Sequence, residues 1–369
     1  MGWMTRQLSG PSDPARDAAW ERPEQRKGFF TDTSICIGCK ACEVACKEWN
    51  AIPGGGELDL LGTSYDNTGG LGANTWRHVA FVEQTTERVE RARESGRRLV
   101  DLGMPASRPP DAPHPGASPA GDTAPAGPVG PSPVDGDGDL AAAAAQARTA
   151  EVTGTLPDFR WLMASDVCKH CTHAGCLDVC PTGSLFRTEH GTVVVQPDVC
   201  NGCGYCVPAC PFGVIERRSD GHVQVGHDQP GRAQPGHDHG EVSNVGIAQK
   251  CTLCYDRIGV GQTPACAQAC PTTSIKFGTL ADMLDTAHER VELLRSNGFT
   301  EARLYGANAE DGVGGTSSVF LLLDEPEVYG LPPDPVVPTR DLPQMFRSAG
   351  IAAVAMFAMA VGAFAGRRR

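Results

Sequence analysis

All sixteen cysteines of this chain fall into four runs of four. The first run, Cys36, Cys39, Cys42 and Cys46, is spaced by two, two and three residues, and Lys47 follows it. The third, Cys200, Cys203, Cys206 and Cys210, repeats that spacing and is followed by Pro211. The second, Cys168, Cys171, Cys176 and Cys180, widens the middle gap to four residues and ends in Pro181. The fourth, Cys251, Cys254, Cys266 and Cys270, widens it to eleven and ends in Pro271.

A cubane 4Fe–4S cluster has four iron corners, each needing one thiolate. Three thiolates on a short loop wrap three corners. In two-cluster ferredoxins the last cysteine of each run serves the other cluster. Zinc fits poorly, because its sites use cysteine pairs separated by a longer stretch, whereas here three cysteines crowd into seven residues. Disulfides need an oxidising compartment, and Met1 to Lys27 has no apolar segment of the kind a secretory leader carries. The expected cofactors are therefore four 4Fe–4S clusters.

The second and third runs lie close together in sequence and are expected to share one unit, leaving the first and fourth to share another. Shared ligation then predicts four sets. Cys36, Cys39 and Cys42 take Cys270, and Cys251, Cys254 and Cys266 take Cys46. Cys168, Cys171 and Cys176 take Cys210, and Cys200, Cys203 and Cys206 take Cys180. Four clusters in series form an electron relay. A redox sensor needs one labile cluster rather than four, so sensing is the weaker alternative. No phosphate-binding glycine loop, dinucleotide fingerprint or Ser/His/Asp arrangement appears, and the chain is not expected to be catalytic on its own. His170 and His173 read as hydrogen-bonding or solvent-facing residues rather than ligands. Lys40, Lys47, Lys169, Lys250 and Arg257 are candidates for tuning cluster potentials through nearby charge.

The elements that must hold these runs are sparse. Glycine (44) and proline (29) are abundant and only 6% of residues are aromatic, so much of the 369-residue chain is loop. A net charge of −12 argues against nucleic-acid binding. His78–Val82, Thr192–Val195 and Ser318–Leu323 read as strands. Leu280, Met283, Leu284, Ala287, Val291 and Leu294 recur at helical spacing, capped by Thr279 and closed by Gly298.

The expected fold class is α+β: two ferredoxin-like units, each holding two clusters, one inserted in the other, plus a C-terminal transmembrane helix. Residues 1–29 form an N-terminal extension, 30–84 and 249–278 the halves of the first unit, and 158–216 the second unit. Residues 85–157 read as a disordered insertion: the charged stretch 85–107 could begin a helix but offers no cap or core face, and 105–150 has few large apolar groups. A second insertion, 217–248, carries His222, His227, His237 and His239 and reads as a solvated loop. Residues 279–345 supply a helix, a strand and a Pro-rich connector, and 346–369 the membrane helix with its basic tail. That helix rests on the uncharged stretch Ser348–Gly366, about 28 Å long as a helix against a hydrocarbon core of ~30 Å. The triplet Arg367, Arg368 and Arg369 favours a cytoplasmic C-terminus.

The stretches DTSICIGCKACEVACKEWN, YDNTGGLGANTW, QKCTLCYDRIGVGQTPACAQACPTTSIKFGT and VGGTSSVFLL resemble the beta subunits of membrane-bound respiratory formate dehydrogenases. The resemblance covers 30–84, 158–216 and 249–366. It implies a molybdopterin catalytic alpha subunit that oxidises formate, and a membrane gamma subunit with b-type haem that passes electrons to quinone in anaerobic respiration. It also implies the same cross-ligation, export in the folded state on the alpha subunit's signal, and a cluster domain on the outer face of the cell membrane. Nitrate reductase beta subunits replace one cysteine of the third run, which is complete here. Dimethyl-sulfoxide-type and polysulfide-type partners generally lack the C-terminal helix. The remaining alternative is the same relay serving another molybdoenzyme or a hydrogenase.

Overall fold

Two short apolar strands from opposite ends of the chain organise the protein. In this computed structural model, which describes residues 18–53, 66, 68–101, 159–218 and 243–366, Lys27–Asp32 (β1) lies parallel to Ser318–Leu322 (β10), with Phe30 opposite Val319. The intervening strands are Arg77–Thr85 (β2), Phe159–Val167 (β3), Leu185–Arg187 (β4), Val193–Val195 (β5), Glu216–Arg217 (β6), Ala248–Gln249 (β7), Ile275–Thr279 (β8) and Arg303–Tyr305 (β9). One four-stranded sheet has the order β8-β1-β10-β9, with β8 and β9 antiparallel to their neighbours. Phe29, Phe30 and Val319 to Leu322 are buried in it. Apolar burial on both faces of β10 is what a central strand requires.

The helices are Ala41–Trp49 (α1), Thr86–Asp101 (α2), Gly175–Asp178 (α3), Cys206–Ala209 (α4), Tyr255–Ile258 (α5), Ala265–Gln268 (α6), Leu280–Ser296 (α7) and Leu342–Gly366 (α8). The α7 helix begins where Thr279 accepts a hydrogen bond from the Asp282 N–H (3.2 Å). It buries Met283, Ala287, Val291 and Leu294, the stripe expected from helical spacing, against β1, β8 and β10. Pairing of β1 with β8 also brings α1 and α6 together, and with them the first and fourth cysteine runs. The second and third runs surround a separate small core of Ala174, Leu185, Val193, Cys206, Ile215 and Ala248.

The long antiparallel ladder β2–β3 pairs Arg77 with Val167 through to Thr85 with Phe159. Its far end leads into α2, where the sequence reading expects a disordered insertion from residue 85. That expectation is corrected for 86–101: Val89 and Ala92 are buried, and Arg91–Glu87 and Arg98–Glu94 pair one turn apart on the exposed face. The helix packs closely on a distant loop, with Gly96 against the Thr300 carbonyl, a contact invisible to local periodicity. Residues 102–158 lie outside the described residues.

The N-terminal boundary at 29 is also corrected. Lys27, Gly28 and Phe29 already belong to β1, and Arg26 donates to the Ser317 and Thr172 hydroxyls at 2.9 and 2.8 Å. The edges of the 217–248 insertion are ordered too, since β6 pairs with β7 and buried Arg218 donates to Asn74 and to the Ala73 carbonyl. The histidines His222, His227, His237 and His239 fall outside the described residues.

Finally, α8 is 25 residues long, and its segment Gln344–Ala363 is apolar enough for a membrane span, with none of it buried against the protein.

Candidate metal centres

Each cysteine run opens with the same turn. The residue before the second cysteine has a positive φ in all four: Gly38 (66°), His170 (45°), Gly202 (71°) and Leu253 (61°). Glycine takes this left-handed conformation freely. A side chain at Gly38 would also strike the Phe81 ring at 2.6 Å. His170 and Leu253 hold it against their preference, the kind of local strain that clusters at functional sites. The turn aims backbone N–H groups at the sulfurs. The Leu253 N–H, for example, donates to the Cys251 Sγ at 3.3 Å.

The structure gathers the second and third runs around two cavities. One is lined by Cys168, Cys171, Cys176 and Cys210, with about 370 Å³ of atom-free space including its mouth. The other is lined by Cys180, Cys200, Cys203 and Cys206, with about 300 Å³. In each, three cysteines come from one run and the fourth from the other. For the remaining runs, Cys36 lies within electrostatic reach of Cys270 and Cys39. Cys46 lies within reach of Cys251, Cys266 and Cys254. Cys42 lies within electrostatic reach of Cys266 and 3.2 Å from the Ser165 hydroxyl. Cys251 also lies within reach of Cys168, so the two halves of the molecule meet at this pair.

The donor chemistry fits cubane clusters. All sixteen thiols are free. Among the described residues no three His, Cys, Asp or Glu side chains converge tightly enough for a single ion. The cysteines of the second and third runs line open cavities, which leaves room for a cubane between them. Burial pushes the thiols of Cys42, Cys206 and Cys254 up to about 11 and that of Cys176 to about 12. Burial, with neighbouring cysteines adding to it, holds Cys46 and Cys171 well above the ordinary thiol value. Thiolates crowded this way need bound metal to be stable, and loading them releases protons. Cys180 goes the other way: burial raises it, but N–H groups of Leu185, Thr182 and Ser184 and the Thr182 hydroxyl outweigh that.

Charged groups surround these sites unevenly. Lys169 and Lys250 are buried and line the cavity of Cys168, Cys171, Cys176 and Cys210. Lys169 is paired with Asp166 and lies over the Phe320 ring at 4.8 Å, while Lys250 donates to the Cys251 carbonyl at 3.0 Å. Arg257 stacks on Trp49 (4.1 Å) and donates to the Thr263 carbonyl. Lys40 pairs with Asp66 at 3.1 Å and with Glu43 at 3.6 Å, and burial lowers Lys47.

His170 lines the same cavity as the two buried lysines. Its Nδ1 accepts the Val193 N–H (3.1 Å), which places the proton on Nε2, and Nε2 is buried without a protein partner. Burial, with Lys250, Arg26 and Arg187 nearby, keeps the ring neutral by holding its pKa well below the usual value. His173 does not line the cavity. Sequence reading passes over Arg77 and Ser165 altogether. Neither lies within a cysteine run, and only the β2–β3 pairing brings them to the sulfurs.

Residues 159–227 and 232–280 match the family model of the 4Fe-4S dicluster domain. The chain is 32% identical over 313 residues to the iron-sulfur subunit of the nitrate-inducible formate dehydrogenase of Escherichia coli K12, covering 84% of this chain and 73% of that one. It is 32% identical to the formate dehydrogenase iron-sulfur subunit of Haemophilus influenzae, over 88% of this chain and 73% of the relative. To the formate dehydrogenase-O iron-sulfur subunit of E. coli K12 it is 30% identical, over 89% and 76%.

Proposed function

The chain belongs to the family of formate dehydrogenase iron-sulfur subunits, and from that premise we propose that it relays electrons through four 4Fe–4S sites from a molybdopterin formate-oxidising subunit to a membrane cytochrome b subunit and quinone. The observation that carries this reading is the pair of cavities each lined by four cysteines, three from one run and one from the other. The proposed sets are Cys36, Cys39, Cys42 and Cys270; Cys46, Cys251, Cys254 and Cys266; Cys168, Cys171, Cys176 and Cys210; and Cys180, Cys200, Cys203 and Cys206. They form two nested ferredoxin-like units. The outer unit runs from β1 at Lys27 to residue 84 and resumes over 249–278, and 158–216 make the inner one.

Each 4Fe–4S group, when bound, takes up and returns one electron. The protein's part is to hold the sites in series and keep water from most of them. Cys42 within electrostatic reach of Cys266 links the first two sites, and Cys251 within reach of Cys168 links the second to the third. The third and fourth share their cysteine runs. Cys39 and Cys203 are the exposed cysteines, one in each terminal site, and suit entry and exit of electrons. The α8 helix, its Gln344–Ala363 segment spanning about 30 Å, anchors the chain in the cell membrane. The triplet Arg367, Arg368 and Arg369 favours a cytoplasmic end, against the weaker opposing charge of Arg340 and Arg347 on the other flank.

The test is anaerobic extraction of the complex from membranes through a tag on this chain, followed by formate addition and low-temperature EPR. Reduced 4Fe–4S signals with formate support the full reading. Reduction by dithionite alone retains the carrier and rejects the formate-oxidising partner. Hydrogen and the reductants of other molybdoenzymes would then be the donors to try.

A further inference from the structure

Arg77 opens β2 and is 1% exposed. Its guanidinium lies over the Phe29 ring at 4.9 Å. Among the described residues no carboxylate forms an ion pair with it. The negative groups within reach are instead Cys266, Cys42, Cys251 and Cys46, which belong to two different proposed sites. A buried cation without a carboxylate partner is costly unless something else supplies the opposite charge.

Its hydrogen bonds divide the same way. Nη1 donates to the Ser165 carbonyl and Oγ at 3.2 and 2.9 Å. Because Ser165 Oγ accepts from Arg77, its own proton is free for Cys42 Sγ at 3.2 Å. Nε and Nη2 are buried and have no protein partner. A guanidinium carries five donors in a rigid fork and cannot be neutralised by deprotonation, so the Nε–H and both Nη2–H donors remain for acceptors that the protein does not provide.

We propose that Arg77 is a positioning and tuning residue set between the first two sites. Its unpartnered Nε–H and Nη2–H donate to sulfur of the Cys46, Cys251, Cys254 and Cys266 site, and its Nη1–H acts on Cys42 through Ser165. A fixed cation and N–H donors stabilise the more negative, reduced state, so both sites take an electron more readily than they would without it. The effect is larger at the second site, where the donation is direct. Charge-assisted hydrogen bonds are the stronger kind, so losing the fork shifts the second site's reduction equilibrium by tenfold or more, which for a one-electron couple is ~59 mV.

This inference rests on the four-site reading, and the iron content of the unsubstituted chain tests that reading by itself. Arg77 is tested by EPR-monitored redox titration of the membrane complex carrying Arg77→Met, Arg77→Lys or Ser165→Ala. The signals of the first two sites are assigned by their loss in Cys39→Ala and Cys254→Ala chains. With Arg77→Met we expect the second site to become at least tenfold harder to reduce, the first site to follow by less, and the third and fourth to stay in place. Arg77→Lys, which keeps the charge and loses the fork, recovers part of the shift. Ser165→Ala leaves Arg77 in place and lowers the first site alone. Four unchanged potentials in chains that keep their full iron would overturn the proposal and leave Arg77 as a strut between β2 and β3. A uniform fall at all four sites would overturn it equally. Should Arg77→Met fail to load, an unmoved first-site potential in fully loaded Ser165→Ala would be decisive against the Cys42 arm.

Discussion

Crossed ligation can be tested by removing cysteines in pairs. Cys168 and Cys210 come from different runs but line one cavity, whereas Cys200 and Cys210 share a run and line different cavities. Four 4Fe–4S sites hold about 16 iron atoms per chain. With Cys168→Ala and Cys210→Ala together, one site is left with two thiols and empties. About 12 iron atoms should remain by the same count, with three reduced-cluster signals unchanged. With Cys200→Ala and Cys210→Ala together, two sites each keep three thiols, so two signals should change. The assay is anaerobic iron determination with Mössbauer and EPR counting of intact sites, alongside a thermal melt to show that both chains fold. The opposite pattern, two sites altered by the first pair and one by the second, would mean that each run closes on its own cluster. Crossed ligation would then be refuted, whatever the shape of the cavities.

Three further outcomes follow from particular contacts. Glu301 is fully buried and pairs with Arg160 at 2.8 Å, so Glu301→Ala should destabilise the chain by about 3–5 kcal/mol in denaturant melts. A loss under about 1 kcal/mol, the level of a surface pair, would show that Arg160 finds water instead. The Asp178 carboxyl is pushed up to about 6 by burial, against the pull of the Thr339 hydroxyl (2.6 Å) and Arg187. The stability carried by its neutral form is complete below the unfolded value and lost as pH rises through about 6. Asp178→Asn should therefore gain on the parent between about pH 4 and 6 and keep up to about 3 kcal/mol at pH 7; a gain independent of pH would refute the assignment. Phe357 stands exposed in the middle of the apolar segment. Phe357→Arg should weaken insertion by about 2.5–3.5 kcal/mol, read as a shift of the tagged chain from the membrane to the soluble fraction, and an unchanged distribution would show that other subunits carry the anchoring.

Features that depend on neighbours along the chain are legible in the amino-acid sequence alone. Cysteine spacing is one, because a loop that wraps three corners of a cubane needs its thiolates within a few residues. The α7 stripe and the uncharged span of α8 are others, since both are periodic or continuous along a single helix. The grouping of the sixteen cysteines in fours, and so the kind of cofactor, is local information of this sort. What tertiary structure decides is everything that depends on distant strands meeting. The pairing of β1 with β8 and β10 draws Cys36 and Cys270 together from opposite ends of the cluster-bearing region. The β2–β3 ladder carries Arg77 and Ser165 to sulfurs in runs they do not belong to. The helix at 86–101 is only half legible: the charged run from 85 can begin a helix, but its buried face, Val89 and Ala92, is small and Gly96 packs on a loop from the other end of the chain. His170 is indistinguishable from any loop histidine until the fold sets the Val193 N–H against its Nδ1. A thiol's type and spacing set which metal group it can hold, but the potential of that group depends on buried charge, and burial is a property of the folded chain alone.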